Sequence, residues 1–213
     1  MKIAVLADEF SKEEFKAKKL PADTQIIYVK SLAEIPDYRS ADAFFILKEG
    51  INTEDYKAFG EKPVFINSVL LTLKEMNLPE NFSRINGWPT FLNRDTWEIA
   101  AGKEGTATIF EKLEWKYSKV SDEPGLVSAR IISMVINEAY FALGEDVSSK
   151  DEIDLAMKLG TNYPYGPFEW CKKIGLQKVY SLLQKLSETD NRYSIAPAMR
   201  NELTTDNGIT VKY

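Results

Sequence analysis

Short, nearly continuous apolar runs mark the first part of the chain. Ile3–Ala7, Thr24–Val29, Ala43–Leu47 and Pro63–Ile66 each have strand length and are rich in β-branched or aromatic side chains. Amphipathic stretches separate them, among them the acidic, lysine-rich segment Glu9–Lys19 and the segment Thr53–Phe59, which Thr53 would cap as one short helix. Strands without polar alternation, interleaved with helical patterns, predict a parallel sheet covered on both faces. The expectation for residues 1–121 is an α/β domain.

The periodicity changes after the turn signal Asp122-Glu123-Pro124-Gly125. Val127, Ile131, Val135 and Ala139 recur every four residues, and Leu126, Met134 and Phe141 widen that stripe. The spacing predicts a helix over 126–143, buried on more than one side. Ser148 or Ser149 would cap a second helix, with Asp151 and Glu152 in its first turn and a stop at Gly160. Further helices are expected around Phe168–Ile174, Val179–Leu186 and Ala198–Leu203. Residues 122–213 therefore read as an all-α domain.

Charge and composition narrow the chemistry. Lys and Arg number 27 against 32 Asp and Glu, a formal charge of −5, so nucleic acid is not the expected partner. No apolar run approaches the roughly 18 residues of a membrane span, and MKIAVLADEF does not read as a secretory signal. A single cysteine, Cys171, forms no intramolecular disulfide and suits a reducing, cytoplasmic setting. The chain contains no histidine. A histidine-based triad, base or metal ligand is thereby excluded from it, and no metal site is expected.

Several motifs in the second half carry a resemblance. Asp122-Glu123-Pro124-Gly125-Leu126-Val127, Arg130 and Asn137-Glu138-Ala139 are followed by Asp151-Glu152-Ile153-Asp154 and Ala156-Met157-Lys158-Leu159-Gly160. Tyr163-Pro164-Tyr165-Gly166-Pro167-Phe168-Glu169 and Ile174-Gly175-Leu176 complete the series. In order and spacing this segment resembles the C-terminal domain of 3-hydroxyacyl-CoA dehydrogenases. The first half is similar more faintly, through Ser40–Phe44, Val64–Ser68 and Arg84–Phe91. The resemblance implies a shortened Rossmann-like domain over 1–121, a helical dimerisation domain over 122–213, and reversible oxidation of 3-hydroxyacyl-CoA by NAD.

That chemistry needs a glycine-rich turn for the pyrophosphate, a base for the hydroxyl proton, and polar groups at the substrate oxygen. After Leu6 the chain reads Ala7-Asp8-Glu9-Phe10, and its first glycine is Gly50. No residue is expected to bind a dinucleotide. The resemblance places Pro89 where the family has its catalytic histidine and Ala129 where it has a substrate-contacting asparagine. Glu98 matches the acid that orients the histidine. With nothing to orient, it reads either as a candidate base or as a solvated or structural acid. Asn67, Ser68 and Asn93 are the remaining candidates for substrate binding; each reads equally as a turn or capping residue.

The leading expectation is a catalytically inactive family member that binds no cofactor. It would pair as a homodimer through its helical domain and hold an acyl-CoA-related ligand or join an active relative. The alternative is an NAD-dependent 3-hydroxybutyryl-CoA dehydrogenase of fatty acid metabolism with a non-standard active site.

Overall fold

The computed structural model describes residues 1–50, 58–103 and 105–206, so the helix expected from Thr53 falls largely outside the described residues. Two compact units divide the chain, Met1–Val127 and Ser128–Tyr213.

The first unit is built on a sheet of seven strands. These are β1 (Lys2–Leu6), β2 (Gln25–Val29), β3 (Ala43–Ile46), β4 (Val64–Asn67), β5 (Phe82–Ile85), β6 (Thr96–Ala101) and β7 (Lys116–Lys119), in spatial order β2-β1-β3-β4-β5-β6-β7. The first five run parallel. The order β2-β1-β3 reverses direction about β1, as in doubly wound nucleotide-binding sheets, but among the described residues the outermost strand beyond β2 is missing. The fold is Rossmann-like. The expected all-parallel sheet needs one correction, because β6 runs antiparallel to β5 and carries the parallel β7 with it. The connection from Ile85 to Thr96 contains no crossover helix, so the chain returns beside β5 in the opposite sense.

Both sheet faces are covered. Helix α1 (Glu9–Lys16) and helix α2 (Thr108–Lys112) lie on one side, where Phe15, Phe45, Phe65, Trp97, Phe110 and Trp115 form a continuous aromatic core. Phe45 stacks on Phe65 at 4.8 Å, and Phe65 meets Phe110 edge-on at 4.9 Å. Ile35, Phe44, Phe59, Ile66 and Leu73 fill the other side.

The second unit contains α3 (Ser128–Gly144), α4 (Lys150–Thr161), α5 (Pro167–Ile174), α6 (Leu176–Ser187) and α7 (Pro197–Asp206). Helix α3 begins two residues later than the periodicity predicts, because Gly125 and Leu126 have φ of +81° and +50° and cannot open a right-handed helix. The Asp122–Gly125 turn, expected to lead the helical domain, is bonded within the sheet unit: Asp122 accepts from Arg84 and Leu73, and Gly125 N–H donates to Val69 O at 2.7 Å. Ser149 caps α4 in a capping box with Glu152. The stop expected at Gly160 falls inside α4 instead, and Asn162 supplies the left-handed turn, with φ of 56° and ψ of 32°. Asn137 ties α3 to the start of α7 by donating to Ser194 O and accepting from Ala196 N–H. Among the described residues, no helix is long and apolar enough to cross a membrane.

Candidate functional site

An open α/β sheet takes ligands outside the carboxyl ends of its strands, where the strand order reverses. Here that point lies between β1 and β3. The chain's own groups have closed it. The N–H groups of Leu47 and Lys48 both donate to Leu6 O, at 2.7 and 3.3 Å, so the two strands stay laced beyond their ends. At the start of α1, Asp8 Oδ1 accepts from Ser11 N–H at 2.8 Å, and Glu9 adds a second acid in the first turn. A helix N-terminus attracts anions because its first N–H groups lack partners and its dipole is positive there. In this chain a carboxylate already sits on it.

Asn67, at the end of β4, is 5% exposed and fully engaged. Its Nδ2 donates to Leu47 O at 3.0 Å and to Gly87 O at 3.2 Å, while its Oδ1 accepts from Gly87 N–H at 2.9 Å. One amide thus ties together the segments leaving β3 and β5. A side chain at position 87 is excluded by this latch, since a Cβ there would lie 2.5 Å from Asn67 Cγ. Ser68 closes the following turn through its hydroxyl, which donates to Leu71 O at 2.9 Å.

The resemblance places a histidine at Pro89, just after Gly87-Trp88. Pro89 offers neither a titratable group nor an N–H donor. Beside it, Thr90 has φ of +78°, costly for a β-branched residue. Glu14 of α1 holds that conformation by accepting from Thr90 N–H at 2.7 Å and from Leu92 N–H at 3.3 Å. Glu98, the candidate base on β6, accepts from Val127 N–H at 3.3 Å. Asn93 lies elsewhere, on the wall of a cavity that also includes Lys18, Pro21 and Trp115 and not Asn67, Ser68 or Glu98.

Glu14 and Arg84 were not legible as important. Arg84, on β5, is fully buried. It donates to Ser68 O, Val69 O and Glu123 O and pairs with Asp122 at 2.5 Å. Burial pulls its guanidinium below the usual range, while the Asp122 carboxylate opposes that shift. An arginine inside the otherwise short and weakly apolar run Phe82–Ile85 was the available signal.

In sum the carboxyl edge presents a capped helix, a laced strand pair and an amide latch. These residues do not fit a dinucleotide held in the Rossmann manner, which needs close backbone approach and free N–H groups at the first turn.

Comparison with known proteins places the second half. Residues 125–209 match the family model "3-hydroxyacyl-CoA dehydrogenase, C-terminal domain". The 3-hydroxyadipyl-CoA dehydrogenase of Escherichia coli is 38% identical over 92 residues, covering 42% of this chain and 19% of that protein. The 3-hydroxybutyryl-CoA dehydrogenase of Clostridioides difficile is 42% identical over 98 residues, covering 43% of this chain and 34% of that protein. The matched segment is therefore no more than about a third of either relative's length. Among solved structures, the (S)-3-hydroxybutyryl-CoA dehydrogenase of Ralstonia eutropha superposes with a TM-score of 0.73 over 96% of this chain and 94% of its own, at 17% identity. FadB2 of M. tuberculosis superposes with a TM-score of 0.71 over 97% and 93%, at 12% identity. At such identities the likeness establishes a shared fold. Residues 125–209 thus carry a C-terminal domain of the 3-hydroxyacyl-CoA dehydrogenase family.

Proposed function

We propose that this protein does not transfer hydride and serves instead as a dimerising, acyl-CoA-related binding module. The observation that carries this reading is the Asp8 carboxylate on the N-terminus of α1. It stands where a cofactor's pyrophosphate would need N–H donors, and it would repel that group at close range. Pro89 at the family's histidine position acts in the same direction, since a hydroxyl proton has no imidazole to accept it. Glu98 is not a convincing substitute while it is occupied with Val127 N–H.

Pairing is favoured by the helical unit. Leu155 and Leu159, one turn apart on α4, are 54% and 78% exposed. Two large apolar side chains on one exposed helical stripe suit a self-complementary two-fold contact. The acyl-CoA arm of the proposal rests on family membership and on the persistence of the helical scaffold.

The test is to incubate purified protein with NADH and acetoacetyl-CoA and follow NADH absorbance. The expected result is no consumption above a no-enzyme control, together with a rise in melting temperature on adding acetoacetyl-CoA alone. Steady NADH consumption would overturn the inactive reading and favour the dehydrogenase alternative.

A further inference from the structure

We propose that the sheet unit carries a separate anion site, a cavity built around Lys18 that takes a carboxylate or phosphate ester attached to a flat apolar body. The cavity measures about 700 Å³, within the range of small-molecule sites. Its lining shares no residue with the strand ends described above, and it is independent of the proposed loss of hydride transfer.

Two long-range bonds shape it in advance. Trp115 Nε1 donates to Lys19 O at 2.7 Å, and Lys18 Nζ donates to Arg94 O at 2.7 Å, so three distant segments are fixed around one hollow. The Lys18 ammonium lies over two indoles, 5.7 Å from the Trp97 ring centre and 5.3 Å from that of Trp115. Of its three donors only one meets an acceptor among the described residues. Asp95 attracts it without forming an ion pair. Burial holds its pKa below the usual lysine range, and Asp95 opposes that shift.

A methionine would cover the same indoles with no desolvation cost, so a half-buried ammonium here points to an anionic partner in addition to Asp95, which lines the cavity without pairing with it. Lys18, Lys19 and Lys116 outnumber the acids Asp95 and Glu114 in the lining, which leaves it net positive, and Asn93 adds an amide. Leu20, Pro21 and Leu113 supply apolar wall for a flat body.

Titration of the full chain with naphthoate, naphthyl phosphate and uncharged naphthamide, read by tryptophan fluorescence and calorimetry, tests this assignment. One or both anions should bind saturably at one per chain and weaken as sodium chloride is raised. Naphthamide should bind at least about tenfold more weakly, as expected when a charge-assisted hydrogen bond is absent. Preference between the two anions identifies carboxylate or phosphate as the natural group. Lys18→Met should abolish the discrimination. Should that variant fail to fold, Asn93→Ala and Lys116→Ala, both at the rim, should each weaken anion binding several-fold. No saturable anion binding, equal affinity for naphthamide, or affinity unchanged in the folded variants would overturn the proposal.

Discussion

Replacing Asn67 separates a ligand contact from a structural latch. Its amide makes three buried hydrogen bonds, to Leu47 O, to Gly87 O and from Gly87 N–H. At roughly 1 kcal/mol each, Asn67→Ala should cost the sheet unit about 3 kcal/mol, before any further penalty for the stranded Gly87 N–H. Asn67→Asp is more informative. It keeps the acceptor for Gly87 N–H but turns a negative oxygen toward two carbonyl oxygens, which raises the pKa of the new carboxyl in the folded state. A group whose folded pKa is raised binds more protons folded than unfolded. The Asp variant should therefore be least stable near neutral pH and recover as pH falls through that raised value. Urea unfolding followed by tryptophan fluorescence reads this directly, since Trp88, Trp97 and Trp115 lie in the sheet unit and only Trp170 lies in the helical one. An Asn67→Ala midpoint equal to that of the natural chain would refute the latch and return Asn67 to the candidate substrate contacts.

Four further outcomes follow from other parts of the molecule. Asp122→Asn strands the fully buried Arg84 guanidinium and should cost about 3 kcal/mol in thermal or urea unfolding, whereas a paired Arg84→Met and Asp122→Asn change should recover part of that loss. Glu152 is held down to about 2 by the Ser148 and Ser149 hydroxyls, against 4.5 for an ordinary glutamate. A lowered carboxyl stabilises above its unfolded pKa, so the helical unit should lose stability as pH falls through that window, and Glu152→Gln should flatten the loss in far-ultraviolet circular dichroism. The Cys171 thiol, pushed up to about 11 chiefly by burial, should react slowly with iodoacetamide at neutral pH in the native protein and quickly in urea. If the proposed pairing runs through α4, the natural chain should have a dimer's mass in light scattering and Leu159→Glu should lower it toward a monomer's; a monomer's mass for the natural chain, or no change on substitution, would refute that contact.

Much of the fold was readable because burial leaves a plain imprint. β1, β3 and β4 are almost wholly apolar, and their neighbours on both sheet faces explain why. β5 escaped notice because Ser83 and Arg84 interrupt it; the guanidinium is tolerated only because loop carbonyls and Asp122 surround it, and those partners lie 15 to 39 residues away. β7, Lys-Tyr-Ser-Lys, is a mostly exposed edge with no apolar run to detect. Gly160 looked like a helix stop by residue type, yet Asn162 adopts the left-handed turn, a choice local propensity does not rank. At the carboxyl edge, the missing glycines and the acids Asp8 and Glu9 were visible, whereas the Asp8 cap and the Glu14 clamp depend on geometry. Glu14 grips backbone 76 and 78 residues on, and no short-range spacing encodes that.

The most direct test of the closed carboxyl edge is a calorimetric titration of the full chain with NADH. Heat no greater than dilution is the expected result, because Asp8, the Leu6–Leu47 lacing and the Asn67 latch leave the pyrophosphate no place to settle. Saturable binding of one NADH per chain, weakened by substitutions around Asp8, would contradict it.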